Sequence, residues 1–183
     1  RRHRRRAKSE VLRLEHVAGA ELEGAVDDVS QLAEVARPPK PVLAPFDWSN
    51  AVHQALRQFE KQAADRSVVL TSRIAPNVSV TGDTQKLHQV LLNLLLNAAE
   101  ACSERGTVSV SLSKTEDGGG RLIVADSGLG ISDGDLNRIF EPFYTTKSSG
   151  SGLGLAVVKS IIDEHCGTIS VESRKGEGTR FTI

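Results

Sequence analysis

Residues 89–126 read "QVLLNLLLNAAEACSERGTVSVSLSKTEDGGGRLIVAD", and within them the hydrophobic period changes. Up to Ala101 the apolar residues recur at helical steps. After Gly106 the pattern switches to strict alternation in "TVSVSLS" and "RLIVAD", two runs separated by the turn sequence "EDGGG". A helix followed directly by an antiparallel hairpin results. The helix itself carries Gln89, Asn93, Asn97 and Glu100 at steps of four, four and three, so they lie on one face of a leucine-rich rod.

Working outward, Asp83 is placed to cap this helix, which is expected to run to about Arg105 and Gly106. Before it, "SVVLTSRI" and "NVSVTG" read as strands separated by Pro76-Asn77, and "DWSNAVHQALRQFEKQAADR" reads as a helix. After the hairpin come a glycine-rich loop, a short helix, and "SGSGLGLAVVKSIIDEH", a helix that begins on glycines. "GTISVES" and "GTRFTI" close the chain as a hairpin around "RKGEG". This order lacks the βαβ alternation of a doubly wound fold. It predicts an α+β chain, a two-layer α/β sandwich with helices on one face of a mixed sheet.

The N-terminal residues differ. Val11, Leu14, Ala18, Leu22, Ala25, Val29, Leu32 and Ala36 mark a long, narrow-striped amphipathic helix over residues 9–36, ended by Pro38 and Pro39. Such a stripe suits a helical hairpin or coiled-coil seam, although a plain core-facing helix also fits. "RPPKPVLAP" is a stiff connector. The domain boundary is expected at residue 40, with residues 41–183 forming the second domain.

Composition excludes several functions. Across 183 residues, 23 Lys+Arg balance 23 Asp+Glu, so overall charge offers no argument for a nucleic-acid ligand. The opening "RRHRRRAK" reads as a solvated helix start in preference to a nucleic-acid or membrane-surface arm. No apolar run reaches the ~18 residues of a membrane span. Cys102 and Cys166 stand apart without zinc or redox spacing, and both are expected to be buried, reduced thiols of a cytoplasmic domain. The chain contains no Met, which reads as a fragment of a longer protein or a processed product.

Several groups carry chemistry. "DSGLG" (Asp126, Gly128, Gly130) follows a strand, and "SSGSGLGLA" (Gly150, Gly152, Gly154) leads into a helix. Glycines at a helix start let N–H groups approach an anion, and Lys147 stands nearby. Neither glycine loop meets a standard phosphate-loop signature. Asp126 is either a turn cap or an acceptor for an exocyclic amine such as adenine N6. Asn93 and Asn97 are either satisfied structural amides or, for Asn97, a neutral oxygen ligand for Mg²⁺ beside phosphates.

In chain order, "NLLLNAAEA", "DSGLG", "IFEPFYTT", "GSGLGLA" and "GEGT" closely resemble the catalytic and ATP-binding domain of sensor histidine kinases. That domain belongs to the superfamily shared by gyrase, the heat-shock chaperone ATPase and mismatch-repair ATPases. The resemblance covers residues 47–183 and implies a Bergerat-type ATP-binding fold with a short lid over residues 142–151. It implies that Asn97 coordinates Mg²⁺ with Asn93 as its phosphate-side partner, while the position of Lys147 beside the second glycine loop makes it a candidate charge for the phosphates. It makes Asp126 the adenine-selecting carboxylate, with Gly128 and Gly130 beneath the base and Thr179 behind it. Phe140 and Phe143 resemble the aromatics anchoring the lid, and Gly150, Gly152, Leu153 and Gly154 its flexible end. The ATPase relatives carry a glutamate where Asn93 stands, and an amide is a poor general base. The resemblance thus implies a protein-histidine kinase, with ATP/ADP as ligands and a response regulator receiver domain as partner.

The sequence also departs from the family pattern. "HCG" at residues 165–167 replaces His-Gly-Gly, and Ser132 stands where proline is common. No His-Glu-x-x-x-Pro phosphoacceptor motif occurs, so the chain is not expected to autophosphorylate alone. The helix over residues 9–36 resembles the second helix of the family's dimerisation hairpin, through which a full-length parent would form a homodimer. An ATP hydrolase, a serine kinase of the anti-sigma type and a non-catalytic interaction module are the alternatives.

Overall fold

A computed structural model describes residues 40–102, 106–147 and 150–183; the expected N-terminal helix lies outside the described residues. The elements follow in the order β1 (Ala44–Asp47), α1 (Trp48–Asp65), β2 (Val69–Ile74), β3 (Ser79–Gly82), α2 (Thr84–Ala101), β4 (Thr107–Lys114), β5 (Gly120–Asp126), α3 (Asp133–Leu136), α4 (Gly154–Glu164), β6 (Ser170–Arg174) and β7 (Gly178–Thr182).

Five strands form one sheet in the order β2-β4-β5-β7-β6. The β2–β4 pair is parallel and the others antiparallel, so the sheet is mixed as expected. The register places Val110 opposite Val124 and Leu112 opposite Leu122. With period-two alternation, these side chains and Val108 and Phe181 point to one face and are buried there. Ser109 and Arg180 alternate to the other face and are exposed.

Helices α1, α2 and α4 cover the apolar face. Helix α2 lies between the other two and on β4, β5 and β7. Its Leu87, Val90, Leu91, Leu94, Leu95, Ala98 and Ala99 are buried, as are Val52, Leu56 and Phe59 of α1 and Val157, Val158, Ile161 and Ile162 of α4. Each large side chain so buried contributes roughly 1.5–3 kcal/mol. The α+β sandwich with helices on one face is therefore the observed architecture.

The two cysteines are not buried as expected: Cys102 is half-buried at the end of α2 and Cys166 is exposed in the turn after α4. Two local elements also change. Helix α2 stops at Ala101, with Cys102 extended (φ −74°, ψ 135°), short of Arg105. The Ala101 carbonyl at its end accepts from the Leu129 N–H at 3.0 Å, so the glycine loop supplies the partner that another helical turn would have supplied. Residues 44–47, read as connector and helix start, form β1. That strand pairs antiparallel with β3 in a separate two-stranded sheet. Pro45 is tolerated in so short an edge strand, and Asp47 both ends it and caps α1 by accepting from the Asn50 N–H at 3.2 Å.

Candidate functional site

The polar stripe of α2 faces the start of α4. A Cβ placed on Gly154 would lie 3.8 Å from Asn93 Oδ1 and 3.9 Å from Asn97 Nδ2, so both amides lie against the first turn of that helix. No side chain caps α4, which leaves its first N–H groups to a ligand or solvent. Asn93 Nδ2 is buried without a hydrogen-bond partner among the described residues. Buried donors are almost always paired, so an unpaired one on an amide that lies against a helix N-terminus is suited to an anion. Lys147 adds a full positive charge, its Nζ donating to Asn97 Oδ1 at 3.0 Å and to Glu100 Oε2 at 2.6 Å. Donors and positive potential therefore converge from α2, α4 and the segment between α3 and α4.

Asp126 ends β5, opposite Thr179 on β7. Its Oδ1 accepts from the Gly128 N–H at 2.8 Å. Burial pushes its carboxyl up from the ordinary range, while N–H groups of Gly128 and Thr179 and the charge of Lys147 pull part of the way back. An open depression of about 500 Å³ passes Asp126, Thr179, Ser173 and Leu136. It extends to Glu172 and Arg180, which alternate to the solvent face, so only its Asp126–Thr179 end belongs to the site.

Thr179 is buried, its hydroxyl 3.0 Å from Ser173 Oγ. Ser173 also accepts from the Ile131 N–H at 2.8 Å and donates to the Gly178 carbonyl at 2.7 Å. This serine holds the glycine loop against β7, and sequence reasoning gave it no role. The available signal was a polar residue two positions after Val171 on an otherwise inward-facing strand row.

The remaining residues shape the walls. Gly130 has φ +64°, and a Cβ there would fall 1.9 Å from the Arg174 carbonyl oxygen, so no side chain fits beneath the β6–β7 turn. A Cβ on Gly128 would meet the Ala101 carbonyl at 2.4 Å and one on Gly150 the Thr145 hydroxyl at 2.7 Å. Gly152 has φ +71°, and its Cβ position lies 2.5 Å from the carbonyl carbon of Phe143. The Phe143 N–H donates to the Gly152 carbonyl at 3.0 Å, closing the base of the segment over residues 143–152.

Phe143 itself has φ 65° and is exposed. Phe140 packs edge-on against Phe181, with centroids 6.5 Å apart, and so anchors to the core. Leu153 is 2% exposed and packs into the core just before α4. Tyr144 donates its hydroxyl to Asp135, which also accepts from Ser132 at 2.6 Å. The Arg138 guanidinium lies 4.2 Å from the centre of the Tyr144 ring. These contacts tie α3 to the segment after it.

Among the described residues, no group of three or more His, Cys, Asp or Glu side chains could hold a metal. A divalent cation at this site would take oxygens from its ligand and water, with the Asn97 amide oxygen as the protein contribution. Among the described residues, no helix is long and apolar enough to cross a membrane.

The family model described as "Histidine kinase-, DNA gyrase B-, and HSP90-like ATPase" matches residues 82–183. Sensor histidine kinase ZraS of Klebsiella oxytoca is 39% identical over 156 residues, covering 85% of this chain and 34% of that kinase. The chain thus spans about a third of the length of such curated relatives. The catalytic domain of histidine kinase ThkA is similar with a TM-score of 0.70 and 30% identity, covering 76% of this chain and 92% of that one. Full-length ShkA in complex with AMPPNP gives a TM-score of 0.78 and 29% identity, over 90% of this chain and 35% of that one.

Proposed function

The chain belongs to the histidine kinase-, DNA gyrase B- and HSP90-like ATPase family, and from that premise we propose that it is the catalytic, ATP-binding part of a two-component sensor histidine kinase. Adenine is selected by Asp126, whose free acceptor capacity suits the exocyclic N6 amine, with Thr179 behind the base. The phosphates lie between the Asn93/Asn97 face of α2 and the start of α4. The carrying observation is the Asn93 amide, which lies against that helix start through its Oδ1 and whose buried Nδ2 has no partner among the described residues. The complex of ShkA with AMPPNP supports an adenine nucleotide as the ligand.

Asn97 Oδ1 fits a Mg²⁺ shell completed by phosphate oxygens and water. Mg²⁺ there neutralises charge on the transferring phosphoryl group. The protein's own part is positioning: Lys147 and the α4 amides hold the phosphates, and Asp126 orients the nucleotide. Asn93 has no carboxylate with which to activate water, which favours transfer over hydrolysis. The acceptor is a histidine outside this sequence, and a response regulator receiver domain takes the phosphoryl group next. In the parent, the helix expected over residues 9–36 would supply the dimer contact.

Calorimetry with ATP and Mg²⁺ tests the binding. Saturable binding is expected, together with acid-labile phosphate on a separately supplied helical hairpin bearing His-Glu-x-x-x-Pro and none on this chain alone. Absence of nucleotide binding refutes the assignment. Steady release of inorganic phosphate without transfer would favour a hydrolase instead.

A further inference from the structure

Glu100 completes the polar stripe of α2, one turn beyond Asn97, and the nucleotide-binding role leaves it without a task. Its carboxylate is held by two cations: Oε2 lies 2.6 Å from Lys147 Nζ and Oε1 lies 3.8 Å from Arg66 Nη2. The same Lys147 ammonium sits 3.0 Å from Asn97 Oδ1. A neutral amide oxygen and a carboxylate oxygen, three residues apart on one helix, thus flank a single positive charge. These are the hard oxygen ligands that a divalent cation uses. The lysine comes from a segment 50 residues further along the chain.

Resting on the nucleotide-binding role above, we propose that Glu100 is a positioning residue that parks the Lys147 ammonium on Asn97, making the lysine a built-in competitor of the divalent cation for the Asn97 amide oxygen. Two cations cannot share that oxygen closely without strong repulsion. Metal-bound nucleotide therefore displaces Lys147 from Asn97, while Glu100 keeps the freed ammonium beside the groove and available to the phosphates. The protein then has two states of one corner: lysine on Asn97 without nucleotide, and cation on Asn97 with it.

The test is a Mg²⁺ titration of adenine-nucleotide binding in the whole chain, at constant ionic strength, for the wild type and Glu100→Gln. Glu100→Gln loosens the parked lysine. The Mg²⁺ concentration for half-maximal binding is expected to fall by about two- to five-fold, the range for a partly exposed ion pair. An unchanged or raised requirement overturns the proposal, a raised one because it would make Glu100 a servant of the metal itself. A second measurement needs no nucleotide: the Asn97 side-chain amide resonance is expected to shift in both Glu100→Gln and Lys147→Gln. If neither variant moves it, the lysine is not parked there. Failure of the wild type to bind nucleotide at saturating Mg²⁺ would refute the proposed function separately, and leaves the amide resonance to decide the parking.

Discussion

The backbone N–H of Asp83 donates to Nε2 of His165 at 2.8 Å across 82 residues of chain. It joins the cap of α2 to the residue that ends α4, the two helices between which the phosphates are proposed to lie. Nε2 is the acceptor, so Nδ1 carries the proton and donates to the Ile161 carbonyl at 2.7 Å. The ring also packs on Gly82, where a Cβ would approach His165 Cδ2 to 3.0 Å.

His165→Ala should strand the part-buried Asp83 N–H and open a void against Gly82. A loss of about 1–3 kcal/mol follows from the stranded donor, seen as a Tm lowered by several degrees. An unchanged thermal transition would show that this joint carries no stability.

Asp83 accepts from the N–H groups of Gln85 at 3.0 Å and Lys86 at 3.2 Å, and from Val42 at 2.9 Å. The Val42 N–H leads in holding its carboxyl below the ordinary range, against a smaller opposing effect of burial. A depressed folded-state value means that the stabilisation is present above the unfolded value and disappears as pH falls through the folded one. Asp83→Ala should therefore cost about 1 kcal/mol at neutral pH. The difference in urea midpoint between the two proteins should shrink below roughly pH 4.

Asp126 has the opposite sign. Burial raises its carboxyl, so folding disfavours the ionised form; the penalty is absent below the unfolded value and complete above the folded one. Asp126→Asn should remove adenine-nucleotide binding and yet raise the Tm slightly at pH 7. That gain should vanish by about pH 4. Thermal scans across pH beside calorimetry at pH 7 check both halves, and undiminished nucleotide affinity would count against the adenine role.

Gly152→Ala places a methyl 2.5 Å from the Phe143 carbonyl carbon at φ +71°, which must break the Phe143–Gly152 junction. The segment lies at the surface, so the Tm should move by only about 2 °C, while nucleotide affinity falls about tenfold or more. Equal losses in both would mean that the junction serves the fold rather than the groove.

Much of the molecule was legible in its sequence. The leucine period of α2, its cap at Asp83, the two hairpins and the glycine loops all rest on local terms, namely side-chain period, capping and turn chemistry. Those terms act within a few residues and read directly from a window of sequence. The stripe of Asn93, Asn97 and Glu100 was visible for the same reason.

What the stripe faces was decided by tertiary structure. Ending α2 at Ala101 required the Leu129 N–H, and β1 became a strand only because β3 offered its edge. Ser173 acquired its role from Ile131, 42 residues away, and Glu100 from Lys147, 47 residues away. Side-chain type and period determine which groups a helix presents on a face. Only the packing of distant segments determines which partner that face meets, because the contact energy depends on positions that no local pattern contains.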